Sequence, residues 1–196
     1  MKRRWIRCAV FCLLVVAGLA AAFLARARTG PAAPPDYPAT IGASGKPVSP
    51  SAASRKLGIA SLQLIGTRGN RAFYRGTDAD NHPCLGAGDA SDLGTVGFTL
   101  CSRDERPLIA SDPVIVVPDV QMTEGSGRWQ LIRVDGFAAD SVARVTATDS
   151  GGAVVGEAQV VDNVFSIVPA AAVEPGTIKA YDRGGKLVFS HDYGKG

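Results

Sequence analysis

The sequence predicts an all-β protein, in which an antiparallel, sandwich-like (immunoglobulin-like) extracytoplasmic domain follows an N-terminal transmembrane helix. Three observations support this prediction: an unbroken apolar run near the N-terminus, later segments that alternate apolar and polar residues, and turn sequences in which Asp precedes Gly. The 23 Gly and 12 Pro among 196 residues indicate a chain with many turns. This length has room for one domain or two very small ones.

Residues 1–28 are predicted to be a membrane anchor. The run Cys8–Leu24 is wholly apolar and, with its flanks, gives a helix of about 26–30 Å, close to the thickness of the hydrocarbon layer. Basic residues are denser before the run than after it, so the N-terminus is expected in the cytoplasm and the remainder outside. The alternative is a cleaved signal peptide, because small residues follow at 20–22 and 25–27.

Residues 29–56 are predicted to be a disordered, Pro-rich linker. Half of the 12 prolines fall in this stretch, with Ala, Ser and Gly between them. Such a composition cannot bury enough apolar surface to offset the entropy lost on ordering. The segment is therefore expected to hold the folded domain away from the membrane, and the alternative is a Pro-rich ligand for a partner.

Residues 57–196 are predicted to fold as short strands. The segments 61–65 and 71–75 flank a loop of turn-forming residues and indicate a hairpin, and further strands are expected at 95–101, 114–117 and 129–134. The sequence Asp135-Gly136 is expected to be a turn after the last of these. An alternative arrangement has two subdomains divided near Pro118.

Two hairpins are predicted in the second half. The strands 142–148 and 153–160 flank Asp149-Ser-Gly-Gly, and the strands 177–181 and 186–190 flank Asp182-Arg-Gly-Gly. Alternation within these strands predicts the core residues. They are Trp129, Ile132, Val134, Val145, Val155, Val160, Phe165, Ile167, Ile178 and Phe189.

Parts of the folded region resemble a known group of proteins. The run from Arg133 to Val145, the turn at Asp149 and the segment 161–166 resemble the C-terminal β-module of uncharacterised exported, membrane-anchored proteins of high-GC Gram-positive (actinobacterial) bacteria. The Phe73-Tyr-Arg, Cys84 and Cys101-Ser arrangement is similar to the same group. The resemblance implies an exported β-domain and no particular chemistry.

Cys84 and Cys101 are predicted to form a disulfide, because they are the two cysteines of a domain expected in an oxidising compartment. Closing the loop between them would contribute about 3 kcal/mol by the loop-entropy relation. A metal site is the alternative, but it needs further ligands, and only His82 is near in sequence. The chain has no Cys-x-x-Cys sequence, which excludes a thioredoxin-type site.

Charge excludes one class of partner. The first 28 residues hold 6 of the 21 basic residues and none of the 18 acids, so the remainder carries 15 − 18 = −3. Non-specific nucleic-acid binding needs a basic face, so no nucleic-acid partner is expected.

The candidate catalytic and metal-binding residues form no complete motif. The segment Asp78–His82 resembles the start of a calcium loop but lacks its Gly and closing Glu, which favours a solvated turn. No Gly-x-Ser-x-Gly, phosphate loop, dinucleotide motif or zinc motif occurs, so no catalytic, cofactor or metal residues are assigned.

The expected function is a non-catalytic interaction or sensory module, tethered to the cell membrane, that binds an envelope protein or polymer. The alternative is an enzyme acting on envelope polymers. A polar cleft holding His82 or His191 beside a carboxylate would favour the enzyme, and a flat face or an exposed sheet edge would favour binding.

Overall fold

The structure, a computed structural model, describes residues 45–102, 112–123, 125 and 127–193. The predicted anchor (residues 1–28) and most of the predicted linker lie outside this part of the chain. Within the described residues, no helix is long and apolar enough to span a lipid bilayer.

The described residues form twelve strands and one short helix, and every strand pair is antiparallel, as the sequence predicts. The strands of the first half are β1 (Lys46–Val48), β2 (Ile59–Arg68), β3 (Arg71–Asp78), β4 (Pro83–Asp89) and β5 (Phe98–Cys101), and helix α1 is Ala52–Lys56. Those of the second half are β6 (Val114–Met122), β7 (Trp129–Ala138), β8 (Val142–Asp149), β9 (Val154–Gln159), β10 (Val164–Ile167), β11 (Pro175–Asp182) and β12 (Leu187–Asp192).

The first five strands form one sheet in sequence order, β1-β2-β3-β4-β5, which we call the N-terminal sheet. The predicted first hairpin is confirmed, although its turn is only Gly69-Asn70, because β2 and β3 extend to Arg68 and from Arg71. Cys84 on β4 lies directly opposite Cys101 on β5, with Cα atoms 4.0 Å apart, and the two form the predicted disulfide.

The prediction that the linker extends to residue 56 is wrong at its C-terminal end. Strand β1 pairs with β2, and α1 begins after Ser51, whose hydroxyl oxygen accepts a hydrogen bond from the Ser54 amide. The buried Ser54 hydroxyl donates to the Gly94 carbonyl at 2.7 Å and accepts from the Val96 amide at 3.0 Å. Specific polar contacts thus order a stretch whose composition predicts disorder.

The other seven strands form two sheets that face each other. Strands β10-β7-β6 make one sheet and β12-β11-β8-β9 make the other, so consecutive hairpins are divided between the two layers. The predicted hairpins β8–β9 and β11–β12 are both confirmed. Of the predicted core residues, Val134, Val145, Phe165, Ile167 and Ile178 lie in the core between these sheets.

The three-stranded sheet is the middle of three layers. Its one face packs on the four-stranded sheet, and its other face places Phe137 and Val164 against Phe73, Leu85 and Ala87 of the N-terminal sheet. The Phe73 and Phe137 rings meet edge to face, with centroids 5.5 Å apart. The N-terminal sheet and the sandwich therefore share a continuous apolar interface, and the alternative of separate subdomains divided near Pro118 does not describe this packing.

A buried ion pair crosses the same interface. Arg71 Nε on β3 donates a hydrogen bond to Asp135 Oδ2 on β7 at 2.8 Å, and the Asp135 side chain is 2% exposed. The other carboxylate oxygen of Asp135 has no hydrogen-bond partner among the described residues. The Arg71 guanidinium is therefore the contact that makes this buried charge tolerable.

The predicted turn at Asp135-Gly136 is wrong, since both residues lie inside β7. A Cβ atom at Gly136 would overlap the Phe165 ring and the Ile115 carbonyl. The glycine thus permits a close approach of neighbouring strands rather than a reversal of the chain.

We expect Arg71→Leu to lower the free energy of unfolding by about 3–5 kcal/mol, because it leaves the Asp135 carboxylate buried without its cation. Adding Asp135→Leu should recover most of that loss. The matched control is Arg144→Leu, because the Arg144–Glu157 pair has the same kind of contact at 2.9 Å but is exposed, and its loss should cost about 1 kcal/mol or less. Urea unfolding of the three variants tests this, and equal losses for Arg71→Leu and Arg144→Leu would contradict it.

The disulfide yields a second prediction. Replacing both Cys84 and Cys101 by Ala should lower the free energy of unfolding by about 2–5 kcal/mol, because the unfolded chain regains the freedom of the closed loop. The double variant Cys8→Ala/Cys12→Ala, which leaves the disulfide intact, should keep the wild-type stability. Unfolding curves and non-reducing mass spectrometry measure these effects, and two free thiols in the oxidised Cys8→Ala/Cys12→Ala variant, whose remaining cysteines are Cys84 and Cys101, would refute the bond.

Candidate functional site

An apolar groove opens at one end of the sandwich. It lies where the β6–β7 hairpin extends past the start of β11 and the end of β12, and its volume is about 500 Å³. The groove is lined by Pro118, Val120, Gly127, Arg128, Trp129, Glu174, Pro175 and Tyr193. We call it the Trp129 groove.

A change of sheet by the chain builds one wall of this groove. The Leu131 amide of β7 donates to the Val173 carbonyl at 2.6 Å, which fixes Val173 beside the three-stranded sheet. Two residues later, β11 begins at Pro175 in the four-stranded sheet. Glu174 and Pro175 are therefore held at the mouth of the groove by backbone pairing on both sides.

The opposite wall is apolar and open to solvent. Trp129 is 51% exposed, and Met122, its partner across the β6–β7 ladder, is 49% exposed. The prediction that Trp129 is a core residue is wrong. The tip of the β6–β7 hairpin, including Trp129, extends beyond the end of the sandwich core. Leu131 is therefore the first buried residue of β7.

Other core predictions also need correction. Val155, Val160 and Phe189 are partly buried and pack against the sandwich core, whereas Ile132 is partly buried and does not belong to that set. The register of the β6–β7 ladder shifts between Asp119 and Val120, which pair with Arg133 and Leu131, so Ile132 is an extra residue on β7. This bulge interrupts the alternation, and Leu131 and Val134 rather than Ile132 lie in the sandwich core. The predicted strand 114–117 is part of β6, which is fully buried only at Val114 because β6 is the edge of its sheet among the described strands.

Polar groups sit only at the rim of the groove. The Arg128 and Glu174 side chains approach to 4.0 Å and are both exposed, so the rim carries one charge of each sign. Burial raises the pKa of the Tyr193 phenol, which therefore stays protonated at neutral pH and can donate a hydrogen bond. The Tyr193 amide donates to the Gly176 carbonyl at 2.9 Å, which holds the ring at the groove.

His191 lies beside the groove in an aromatic row. Its ring stacks on Phe189 with centroids 6.5 Å apart and meets the edge of Tyr193 at 4.4 Å. These three residues alternate along the end of β12. The histidine therefore extends the apolar wall, and the structure gives it no carboxylate partner among the contacts described.

His82 occupies a different corner, at the turn between β3 and β4. Its Nδ1 lies 3.0 Å from Asp78 Oδ2, and Asp78 Oδ1 accepts the Asp80 and His82 amides at 2.9 Å each. Burial raises the pKa of Asp78, but the hydrogen bonds from His82 and Asp80 outweigh it and leave that pKa lowered. The predicted solvated turn is confirmed, and Asp78 is the residue that closes it.

The remaining aspartates mostly do what their sequence context predicts. Asp149 Oδ1 accepts the Ala153 amide and Asp182 Oδ1 accepts the Lys186 amide, each closing a hairpin turn. Asp140 Oδ1 accepts a hydrogen bond from the Asn163 amide group at 2.6 Å beside two shallow cavities. Neither His82 nor His191 lines these cavities, and the two histidines lie on different sheets.

The groove is the feature that sequence reasoning missed. The one signal of the groove in the sequence is the position of Trp129, close behind the glycine-rich segment 125–127. A large aromatic residue thus follows directly after a hairpin loop. The alternation of apolar and polar residues, taken alone, predicts that Trp129 lies in the core. Its exposure depends on how far the hairpin extends beyond the facing sheet.

Comparison of this chain with protein-family models, with curated proteins and with solved structures finds no match in any of the three.

Proposed function

We propose that this chain is a membrane-tethered, extracytoplasmic, non-catalytic binding module of the cell envelope, and that the Trp129 groove is its contact surface. The observation that carries the proposal is the half-exposed Trp129 in an apolar groove whose other walls are fixed by backbone pairing. Tethering and location are proposed from the apolar run and the flanking basic residues of the sequence.

The strand order supports an immunoglobulin-like assignment for the sandwich. Labelled A to G in chain order from β6 to β12, the strands form the sheets A-B-E and D-C-F-G. The antiparallel strands divide between layers in the manner of immunoglobulin constant domains, except that the fourth strand pairs in the second sheet. Such domains place their loops at the two ends of the sandwich, and the Trp129 groove lies at one end.

The partner that this groove fits is an extended, uncharged peptide segment of an envelope protein. Trp, Tyr, Arg and Met are the residues enriched where proteins contact one another, and the groove and its margin present Trp129, Tyr193, Arg128 and Met122. The rim is neutral overall, because Arg128 and Glu174 face each other. A charged segment would gain no net attraction there.

The edge of the sheet does not recruit this segment by strand pairing. Strand β6 carries Pro118, which has no amide hydrogen, and its ladder is interrupted between Asp119 and Val120. Both features discourage the addition of a further strand. Binding therefore depends on side chains in the groove.

An envelope-polymer-modifying enzyme is the less supported alternative. His82 does lie beside a carboxylate, but Asp78 uses both oxygens in closing its turn. The His82 corner also lies on the N-terminal sheet, whereas the groove lies at the end of the sandwich.

We expect Trp129→Ala to abolish partner binding with little effect on stability, because half of this side chain is already exposed. Leu187→Ala is the matched control, since Leu187 is 48% exposed on β12 and does not line the groove. A photo-crosslinking residue at position 122 should attach to one envelope protein in the wild-type background and in Leu187→Ala. The crosslink should be lost in Trp129→Ala.

Two results would contradict this assignment. Mapping of the crosslinked peptide to a charged or helical region would overturn the extended, uncharged segment. Retention on purified cell-wall polymer that depends on Trp129, without any protein crosslink, would overturn the protein partner.

The proposed tether yields a separate prediction. Full-length protein should sediment with membranes, resist an alkaline wash and dissolve in detergent, because residues 8–24 are long enough to span the lipid core. A variant with Arg replacing Leu14 and Val15 should lose this behaviour. Recovery of wild-type protein in the medium with a new N-terminus near Phe23 or Arg28 would show cleavage instead.

A further inference from the structure

Two potential metal ligands, Asp78 and His82, lie near the Cys84–Cys101 disulfide at one corner of the N-terminal sheet. Asp78 ends β3, His82 precedes β4, and Cys84 and Cys101 lie opposite each other on β4 and β5. Strand alternation places Asp78 on the same face of β3 as Tyr74, which shares an apolar cluster with Cys84. Asp78, Cys84 and Cys101 thus converge from three adjacent strands, and His82 lies in the turn that joins two of these strands.

Three of the four potential ligands lie close enough to one another to share one small cation. The carboxylate of Asp78 and the sulfur atoms of Cys84 and Cys101 lie within 4.8 Å of one another. The His82 ring nitrogen is 3.0 Å from the same carboxylate. Ligand atoms around a tetrahedral zinc ion are separated by about 3.3–3.8 Å, given metal bonds of about 2.0–2.3 Å. His82 is grouped with Asp78 and Asp80 rather than with the two sulfur atoms, so its ring must rotate toward the sulfur atoms to become the fourth ligand.

We propose that the reduced form of this protein binds one Zn²⁺ through Cys84, Cys101, His82 and Asp78. In the oxidised form the two sulfur atoms are bonded to each other, so two of the four ligands are withdrawn. The site is therefore present only after reduction, and the redox state of one bond selects between a covalent and a metal cross-link.

The chemistry balances with a thiol as the reductant. A thiolate attacks one sulfur atom, the Cys84–Cys101 bond breaks, and the other cysteine leaves as a thiolate. A second thiol resolves the mixed disulfide, so that two external thiols become one external disulfide and the protein gains two electrons and two protons. Zn²⁺ then displaces one proton from each cysteine, and neutral His82 and the Asp78 carboxylate complete the four ligands.

The donor set favours zinc over the calcium ion that the segment Asp78–His82 suggests by sequence. Two thiolates and an imidazole are ligands of zinc, whereas calcium takes six to eight oxygen atoms. Asp78 Oδ1 accepts the amides of Asp80 and His82, and Asp78 Oδ2 lies 3.0 Å from His82 Nδ1, so an ion bound by Asp78 and His82 would replace this second contact. His82 and Asp78 are 34% and 23% exposed at their side chains, so an ion can enter from solvent.

Zinc would take over the structural task of the disulfide. Both cross-links tie β4 to β5, and the zinc site also ties in the end of β3 through Asp78. We therefore expect Zn²⁺ to raise the melting temperature of the reduced protein and to leave that of the oxidised protein unchanged, because only the reduced fold offers the complete site.

The test uses the full-length chain with Cys8→Ser and Cys12→Ser, so that Cys84 and Cys101 are its only thiols. After reduction by a dithiol and removal of the reductant under argon, Zn²⁺ binding is measured by competition with a chromogenic chelator. One Zn²⁺ per chain is expected for the reduced protein and none for the oxidised protein. Co²⁺ in place of Zn²⁺ should give the intense visible bands of a tetrahedral thiolate site.

Two single variants separate a four-ligand site from adventitious binding by a pair of thiols. Asp78→Asn keeps the acceptor that closes the turn, and both it and His82→Ala keep the disulfide, so their folding can be verified in the oxidised state. Each should weaken Zn²⁺ binding by about tenfold or more, at least the loss seen when a supporting group of a metal site is removed. His191→Ala, the matched histidine control, should bind as the parent does.

Two outcomes would overturn the proposal. One is a reduced parent protein that binds no Zn²⁺ or gives no tetrahedral Co²⁺ spectrum. The other is equal Zn²⁺ affinity for the parent, Asp78→Asn and His82→Ala, which would show that two thiols alone account for the binding.

Discussion

Strand β7 is buried on both faces over its last five residues, Val134–Ala138, and the positions of the other two sheets follow from this. One face contributes to the sandwich core and the other receives Phe73 of the N-terminal sheet. A strand in this position needs apolar side chains on both sides and tolerates a charge only with a partner. Asp135 meets that condition through Arg71, so the docking of the N-terminal sheet and the neutralisation of a buried carboxylate are one event. The described residues from 45 to 193 thus form one three-layer unit rather than two independent modules.

The Trp129 groove and the disulfide corner both lie away from this buried centre, in different parts of the fold. The proposed binding groove lies where strands leave the sandwich and the chain changes sheets, so its walls are fixed by backbone pairing while its side chains remain open to solvent. The disulfide corner lies in the N-terminal sheet, where the cross-link supplements a small apolar cluster. Neither region requires the other to change shape. The proposed binding at the groove and the proposed zinc binding at the corner can therefore be tested separately by single substitutions.

Local signals in the sequence predicted the parts of the fold that depend on neighbours along the chain. The turns at Asp149 and Asp182, the hairpins around them and the pairing of Cys84 with Cys101 follow from turn chemistry and strand alternation, and the structure contains them. The errors arose where contacts with segments distant in sequence determine the local structure. The sequence predicts a turn at Gly136, but a glycine is needed there because the Phe165 ring packs against it. Strand alternation predicts that Trp129 is in the core, but Trp129 is exposed because the hairpin extends beyond the facing sheet. The order of residues 46–56 likewise depends on Ser54 reaching Gly94 and Val96, contacts that no local composition reveals. The Trp129 groove belongs to this second kind of feature, as does the gathering of Asp78 and His82 around the disulfide.

The three-layer arrangement also bears on how the protein is made. A growing chain emerges N-terminus first, so β1–β5 can pair with one another long before β7 and β10 are synthesised. Until then, the face of the nascent sheet that carries Phe73, Leu85 and Ala87 has nothing to cover it, and Arg71 has no buried carboxylate to meet. Contacts between segments so far apart in sequence form slowly. The nascent chain therefore exposes an apolar sheet face for much of its synthesis. Association of this face with other chains must be prevented until the last third of the chain has been synthesised.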